Sequence, residues 1–338
     1  MSAPAQPAAA ARSPWFWVLA IAIIAVVLLA PFLVKNYRVF QFNLVLIYAI
    51  ARLGLNILTG YNGQISLGHG AFYAVGAYCG AILMVQFGWP YWATLAPAAL
   101  VCFVVGFLMG FPALRLAGHY LALATLALAW AVPQLLKHKA LEHWTGGVQG
   151  IVINKPDPPF SMTLFDNPLS QDRWLYYVSL LVTVVMFVIA WNLLRGRVGR
   201  ALIAIRDHPV AAAAMGINLP VFKSTTFGVS AAFTGVAGSM STVVVAFVAP
   251  DSFSPFLSIT LLVGVVIGGL ASIPGAIFGA IFIQFVPNIA DEISKAAPWA
   301  IYGVFLIGFM YLMPVGVAGA IRMAWAKLRR RGNVSRQA

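Results

Sequence analysis

Ten runs of mostly apolar residues follow one another along the chain. An α-helix of about 20 residues crosses the roughly 30 Å hydrocarbon core of a bilayer, at a rise of about 1.5 Å per residue. Lipid offers no partner for free backbone N–H and C=O groups, so each run is expected to be helical. The runs extend over residues 15–34, 39–59, 70–87, 93–113, 119–136, 174–194, 222–247, 256–271, 275–290 and 298–318. The sequence therefore predicts an all-α polytopic membrane protein whose ten transmembrane helices occupy residues 15–318.

The composition excludes a water-soluble domain and argues against nucleic acid as a partner. Hydrophobic residues make up 62% of the chain and charged residues only 9%, whereas soluble domains carry about 25% charged residues. The formal net charge of +13 comes from loops and a tail beside the apolar runs, which is typical of membrane proteins. Cys79 and Cys102 lie inside apolar runs without a metal or redox motif and are predicted to be inert packing residues. No cofactor or metal is expected.

The distribution of positive charge predicts which side of the membrane each loop faces. Ten helices place both termini on one side, and a cytoplasmic assignment puts 13 of the 21 Lys and Arg residues inside, seven outside and Arg52 within a helix. Cytoplasmic loops are enriched in Lys and Arg. We therefore expect a disordered cytoplasmic segment at 1–14, a basic cytoplasmic loop at 195–223 and a basic cytoplasmic tail at 319–338. The loop at 137–173 faces the opposite side, and either receives a soluble partner or connects two helices passively.

The basic cytoplasmic loop carries the signals of a short, rigid helix. Asp207 is placed to act as its N-cap, and Pro209 falls in the first turn, where the missing N–H costs nothing. Gly216 can end the helix in the left-handed conformation. The predicted helix covers residues 209–215, and its Ala211–Ala214 stretch lacks bulk, so another protein could approach closely. These features suggest a docking helix, with a capped, solvated loop as the alternative.

Polar residues and glycines interrupt the apolar sequence between Gly60 and Gly70. Irregular backbone at membrane depth is tolerated only where it is buried in protein or lines a watery cavity. We therefore predict that this break lies on a translocation path. The candidate lining side chains are Asn56, Asn62, Gln64, Ser66 and His69. Ser66 and His69 would alternatively suggest an intramembrane hydrolase, but the spans hold no carboxylate to orient the histidine. A hydrogen-bonded packing role is the third interpretation.

A later stretch resembles this break. The pattern G-x-x-S-L-x-x-G-x-F that starts at Gly63 is similar to G-x-x-S-I-x-x-A-x-F, which starts at Gly269 and adds Ser272 to the candidates for the path. Broken helices at corresponding places in two halves are typical of transporters. The sequence thus suggests an internal repeat, although a chance match in so apolar a chain is the alternative.

Five segments carry a resemblance to a known family. They are LNILTGYNGQISLGHGAFYAVGAY, LRLAGHYLALATLALA, TGGVQGI, GRALIAIRDHPVAAAAMGIN and VVIGGLASIPGAIFGA. In this order and spacing, they resemble the permease subunits of branched-chain amino acid ABC importers, LivM type. The resemblance covers nearly all of residues 39–314. It implies a permease of the bacterial inner membrane that pairs with a sister permease of LivH type, two cytoplasmic ATPase subunits and a periplasmic substrate-binding protein. Whether two copies of this chain can pair stays open.

The same resemblance implies that the short cytoplasmic helix is a coupling helix that docks on an ATPase subunit. The residues expected to carry the coupling are Arg200, Arg206, Asp207, Pro209, Ala211, Ala212, Met215 and Gly216. The implied cargo is leucine, isoleucine or valine, although related permeases carry urea, short amides or other small acids. Arg52 departs from the family pattern, where a small or apolar residue is expected, and a charge within a span is usually functional or snorkelled.

Other classes of function are less well supported. No Lys follows a Gly, so the chain has no G-x-x-x-x-G-K loop for ATP and depends on partners for energy. An ion-coupled secondary transporter normally keeps an acidic relay inside its spans, but all eight carboxylates fall in loops or at their edges. No acid, base or metal cluster supports an enzyme. The sequence therefore predicts a non-catalytic transport subunit, with the secondary transporter as the alternative.

Overall fold

The computed structural model describes residues 14–334, with gaps at 117, 161–162, 165–166, 294 and 296. The α-helices are α1 Pro14–Leu33, α2 Asn36–Asn56, α3 His69–Val85, α4 Leu95–Arg115, α5 His119–Leu136, α6 Glu142–Thr145, α7 Gln171–Arg195, α8 Arg197–Asp207, α9 Pro209–Ala214, α10 Leu219–Val245, α11 Pro255–Gly268, α12 Gly275–Ile293, α13 Pro298–Leu312 and α14 Gly316–Val334. A π-helix, Ile57–Tyr61, follows α2, and 3-10 turns cover Lys139–Leu141 and Pro250–Phe253. The segment predicted to be disordered lies outside the described residues, except for Pro14 at the start of α1.

Apolar helices occur at all ten predicted membrane runs. Within the described ranges, seven helices are long and apolar enough to cross a bilayer, and the shorter apolar stretches are Ile24–Leu33, His69–Val85 and Pro255–Gly268. Together they confirm the prediction of an all-α polytopic membrane protein. The last run differs in detail, because residues 313–315 interrupt it and Gly316 takes a positive φ of 71°. From there α14 continues through the basic tail as far as Val334.

Helices α2 and α10 form the centre of the molecule. The apolar windows of these two helices are 78% and 83% buried, whereas those of α4, α5 and α7 are 22% buried and leave an apolar surface for lipid. Helix α10 contacts α2, α3 and α4, and α2 also contacts α7 and α12. Small residues allow these contacts, since a Cβ at Gly76 of α3 would lie 2.2 Å from the Gly235 carbonyl oxygen of α10. Close helix approach over glycine is a common way of packing helices in membranes.

Short strands and ion pairs hold the 137–173 loop on one end of the helix bundle. The strands are β1 Ile151–Val152, β2 Thr163–Leu164, β3 Asn167–Pro168 and β4 Phe247–Val248. Strand β1 pairs antiparallel with β4, which follows α10, and β2 pairs antiparallel with β3. Ion pairs join Lys137 to Asp251 and Lys155 to Asp172. The loop is therefore folded onto the helices, and its role in receiving a partner stays a prediction.

Candidate functional site

The first helix break lies between α2 and α3, where the sequence predicts it. Helix α2 ends in the π-helix, and the chain is then irregular until α3 begins. Gly63 takes a positive φ of 73°, a conformation that residues with a Cβ rarely adopt. Thr125 Oγ1 accepts a hydrogen bond from the Leu67 N–H at 2.9 Å. Ser258 Oγ accepts one from the Gly70 N–H at 2.8 Å. Side chains of α5 and α11 thus satisfy backbone groups that the break leaves free.

A second break separates α11 from α12 and lies against the first. Asn56, the last residue of α2, bridges them: its Nδ2 donates to the Ser272 carbonyl oxygen at 2.9 Å, and its Oδ1 accepts from the Ala271 N–H at 2.9 Å. Gly60 permits this contact, since a Cβ there would lie 2.4 Å from the Ala271 nitrogen. The two similar sequence patterns therefore both lie at helix breaks, and Asn56 and Gly60, just before the first pattern, contact the second. A repeat of the whole halves stays a prediction.

His69 belongs to a closed chain of hydrogen bonds at the start of α3. Its Nδ1 lies 3.0 Å from Ser66 Oγ, and its Nε2 lies 2.7 Å from Ser230 Oγ. Ser230 donates its own proton to the Gly54 carbonyl oxygen at 2.7 Å, so it must accept from Nε2–H. Nδ1 then accepts from the Ser66 hydroxyl. The hydrogen-bond network thus assigns the Nε2–H tautomer to His69.

This network differs from a hydrolytic site. Both imidazole nitrogens of His69 are hydrogen-bonded to serine hydroxyl groups. The hydrogen bonds described for these side chains include no carboxylate that would orient the ring. Nowhere in the described part of the chain are three His, Cys, Asp or Glu side chains grouped as a metal site. The contacts favour a hydrogen-bonded packing role for His69 and Ser66. Sequence reasoning missed Ser230, which lies 161 residues further along the chain.

The other candidates for the path are also closed off from solvent. Asn62 Nδ2 donates to Gln64 Oε1 at 2.9 Å, and Ser272 Oγ accepts from the Gly275 N–H at 3.3 Å at the start of α12. The exposed fractions are 1% for Asn56, 3% for Asn62, 6% for Gln64, 0% for Ser66, 0% for His69 and 2% for Ser272. The structure thus brings the six side chains to the two breaks in a closed conformation. Their part in lining a path stays a prediction.

Two helices, where one was predicted, occupy the basic loop before α10. The short helix is present as α9, with Pro209 in its first turn. Gly216 ends it with a positive φ of 85°, and the Gly216 N–H donates to the Ala213 carbonyl oxygen at 3.0 Å. The Ile217 N–H donates to the Ala212 carbonyl oxygen at 3.1 Å, which completes a Schellman motif. The longer helix α8 precedes α9 and was not predicted.

Asp207 does not cap α9, so this prediction is wrong. It is the last residue of α8, and its Oδ1 accepts a hydrogen bond from Arg206 Nε at 2.9 Å. His208 holds the cap position with φ −147° and ψ 84° and makes no side-chain cap hydrogen bond. Because α8 extends through Asp207, this residue has helical backbone and cannot take the extended conformation of an N-cap.

The outward surface of α9 also differs from the prediction in one residue. Ala212, expected to face a partner, is only 4% exposed and therefore faces its own protein. Val210 and Met215 are 82% and 84% exposed, and Ala211 is exposed beside them. We call Val210, Ala211 and Met215 the α9 surface. The side chain of Arg200 on α8 is exposed as well.

Arg206 joins the cytoplasmic helices to the first break. Its Nη1 donates to the Gly60 carbonyl oxygen at 2.8 Å. A Cβ at Gly63 would lie 2.9 Å from Arg206 Cγ, so the absence of a side chain there lets the arginine stem rest on the break. The end of α8 is therefore held against the segment that carries the path candidates. Arg206 and Gly60 are 146 positions apart in the chain, and no local sequence signal predicts their contact.

Comparison with known proteins identifies the family. The family model described as "Branched-chain amino acid transport system / permease component" matches residues 37–314. The high-affinity branched-chain amino acid transport system permease protein LivM of Escherichia coli (strain K12) is 37% identical over 314 residues, which cover 87% of this chain and 72% of that protein. The protein of the same name from Salmonella typhimurium is 35% identical over 314 residues, with the same shares of both chains.

A more distant relative is the high-affinity branched-chain amino acid transport system permease protein LivH of Salmonella typhimurium. It is 23% identical over 286 residues, which cover 80% of this chain and 91% of that protein. No solved structure matches the chain. The region matched by the family extends from α2 into the segment after α13, and so contains both helix breaks and the α9 surface. The chain therefore belongs to the family of branched-chain amino acid transport permeases and is of the LivM type.

Proposed function

We propose that this chain is the membrane-spanning subunit of an ATP-binding-cassette importer, which carries a branched-chain amino acid or a related small solute across the bacterial inner membrane. The observation that carries the proposal is the pair of buried helix breaks that Asn56 joins at the centre of a permease fold. Broken helices in two parts of a transporter supply backbone that can change conformation around a substrate. The buried side chains of the two breaks would then become the lining of the path when the breaks separate.

Energy enters from the cytoplasmic side through the α9 surface. Val210 and Met215 present apolar side chains that are 82% and 84% exposed, and a short apolar helix face suits a groove on a partner protein. Helices as short as α9 have little intrinsic stability, so the Schellman motif at Gly216 holds its end in place. Arg206 then passes a displacement of α8 and α9 to the Gly60 carbonyl group. The partner is an ATPase subunit, one of two in the complex.

Further partners follow from the family and from the surfaces of the chain. The importer contains a sister permease of LivH type, which is supported by the similarity of this chain to both LivM and LivH permease proteins. The 137–173 loop faces the periplasm and receives the substrate-binding protein. In support, Val148 and Val152 of this loop are 64% and 72% exposed, and exposed apolar side chains on a folded loop suit a protein contact.

An ion-coupled secondary transporter is not favoured. Such a carrier normally keeps an acidic residue inside its membrane helices. Among the described membrane helices, acidic residues lie at the ends, with Asp172 in the first turn of α7 and Asp291 and Glu292 in the last turn of α12. These positions place the carboxylates near the membrane surface, where they cannot relay an ion through the bundle.

Reconstitution tests the proposal. The chain is co-expressed with a LivH-type permease and the two ATPase subunits, and the purified complex is placed in proteoliposomes with the binding protein. We expect ATP-dependent accumulation of leucine by the complex and none by the chain alone. A complex whose ATPase cannot hydrolyse ATP is the control. Accumulation of leucine against a gradient by the chain alone would refute the proposal.

The proposed topology places both termini in the cytoplasm and the 137–173 loop in the periplasm. It rests on the excess of Lys and Arg in the segments assigned to the cytoplasm. Reporter fusions after Asn154 and at the C-terminus test it, and we expect periplasmic activity from the first and cytoplasmic activity from the second. The same location for both reporters would contradict this topology.

A further inference from the structure

Arg52 is a buried cation without a hydrogen-bond partner in the described structure. It lies in α2, one turn before Asn56, and is 0% exposed. Its Nε, Nη1 and Nη2 atoms are all buried, and among the described residues none of them has a hydrogen-bond partner. A guanidinium group carries five N–H donors in a planar fork that matches a carboxylate. Burying such a group without an anion is strongly unfavourable, so its presence here calls for an anion in some state of the protein.

The surroundings of Arg52 leave its charge uncompensated. The Tyr48 ring centroid lies 5.5 Å from Arg52 Cζ, a cation–π contact that attracts the charge but accepts no hydrogen bond in the plane of the fork. Tyr48 in turn stacks on Tyr73 with ring centroids 6.2 Å apart. A Cβ at Gly264 of α11 would lie 2.3 Å from Arg52 Nε. The guanidinium is therefore covered by an aromatic wall on one side and by bare helix backbone on another.

Helix α11, which covers Arg52, ends at a helix break and borders a cavity. Helix α11 carries Gly264 and ends at the second break, where Gly269 and Ala271 take positive φ values of 110° and 54°. A cavity of about 270 Å³ separates α11 from α13 and is lined in part by Val263, the neighbour of Gly264, and by Tyr302. A shift of α11 into this space would uncover the guanidinium beside the two breaks. The same shift separates the segments that Asn56 joins.

We propose that Arg52 binds the carboxylate of the transported solute when α11 moves away from it. The inference rests on the proposed transport function and adds the residue that recognises the solute, a buried guanidinium that requires a small carboxylate. Urea and short amides lack the anion that the fork requires, so the site selects against them. The Tyr48 and Gly264 walls offer apolar surface for the rest of the solute. A carboxylate side chain of the sister permease has the same chemistry, and the test below separates the two sources.

Direct binding to the purified complex of both permeases and both ATPases, without the binding protein, tests the proposal. The probes are leucine and leucinamide, which differ in the carboxylate. The variants are Arg52→Met, which keeps an unbranched apolar stem and removes the guanidinium charge, and Arg52→Lys, which keeps the charge. Loss of a charge-assisted hydrogen bond weakens binding by about 10- to 100-fold. We expect this loss for leucine in Arg52→Met, little change for leucinamide, and partial retention of leucine binding in Arg52→Lys.

Membrane level and co-purification with the sister permease show whether each variant folds and assembles. If Arg52→Met lowers co-purification and weakens leucine and leucinamide equally, the carboxylate comes from the sister permease and the proposal is overturned. Unchanged preference for leucine over leucinamide in an assembled Arg52→Met complex also overturns it. Failure of the wild-type complex to accumulate leucine in proteoliposomes would instead refute the proposed transport function, and the two failures are therefore distinguishable.

Discussion

Replacing Asn56 with leucine removes the bridge between the two helix breaks while keeping a side chain that branches at the same atom. The Asn56 amide exchanges two hydrogen bonds of 2.9 Å with the backbone of the second break. Without it, the Ala271 N–H and the Ser272 C=O lose these partners in a site where Asn56 is 1% exposed. Each unsatisfied buried polar group costs about 1–3 kcal/mol. We therefore expect Asn56→Leu to lower the free energy of unfolding by about 2–6 kcal/mol.

The same substitution at Asn288 of α12 is the matched control. Asn288 Nδ2 donates to the Gln284 carbonyl oxygen at 2.8 Å within the same helix. That carbonyl group keeps its ordinary helix position after substitution, so no buried group loses its only partner. The loss expected for Asn288→Leu is below about 1 kcal/mol. The difference between the two variants isolates the bridge from the general effect of replacing an amide with an alkyl group.

Two measurements check this prediction. Unfolding of the purified complex in detergent, followed as a function of denaturant or temperature, compares both variants with the wild-type protein. Uptake of leucine by proteoliposomes reports whether the bridge also matters for transport, and we expect Asn56→Leu to reduce it at equal protein level. If Asn56→Leu were no less stable than Asn288→Leu, the two breaks would not depend on each other through this side chain, and the reasoning would be wrong.

Three further predictions concern coupling and the path. Gly216→Val places a β-branched residue at a φ of 85°, at a cost of about 1–3 kcal/mol, and we expect this variant to lose co-purification with the ATPase. The control is Gly88→Val, where φ is 65° and no atom lies within 4 Å of the added Cβ. This control variant should still co-purify with the ATPase. Arg206→Met removes the hydrogen bond to the Gly60 carbonyl oxygen. We expect this variant to keep its association with the ATPase but to take up less leucine per ATP hydrolysed. Unchanged uptake per ATP would contradict a coupling role for the Arg206–Gly60 hydrogen bond. A cysteine at Gln64 should react with a small water-soluble thiol reagent faster during turnover than at rest, while buried Cys102 reacts slowly in both conditions; equal, slow labelling of both would favour a purely structural break.

The membrane fold is predictable because one rule acts along the whole chain. Lipid enforces helix on every long apolar run, and all ten predicted runs coincide with apolar helices. Helix α8 was missed because its three arginines made the segment read as a basic loop. Its apolar residues nevertheless recur at helical spacing, with Val198, Leu202 and Ile205 on one side, and Leu202 and Ile205 are 1% and 2% exposed. The helical spacing of these apolar residues could therefore have predicted α8 from the sequence.

The candidate site is predictable only in its location. Glycines and polar residues in an apolar run mark the break between α2 and α3, and the second pattern marks the break after α11. The side chains that satisfy the first break come from other helices, namely Thr125, Ser230 and Ser258. They lie 58 to 188 residues from the groups that they contact. The sequence alone does not distinguish a serine that bonds to a distant histidine from a serine that bonds to its own helix backbone. Asp207 shows the opposite error, since its side chain suggested a cap for α9 while its backbone belongs to the end of α8.

Three residues of one helix connect the separate parts of the molecule. Arg52, Asn56 and Gly60 follow at intervals of four, so they lie near one face of α2 and its π-helical end. Arg52 rests against α11, Asn56 holds the second break, and Gly60 accepts a hydrogen bond from Arg206 of α8. A π-helix contains one residue more per turn than the α-helix around it, so a change of the five-residue segment Ile57–Tyr61 to α-helix would turn Gly60 relative to Asn56. A displacement of Arg206 would act first on this π-helical segment, because Arg206 bonds to the Gly60 carbonyl oxygen. We therefore expect displacement of the cytoplasmic helices to strain the Asn56 bridge and the Arg52 contact together, because all three contacts share one helix.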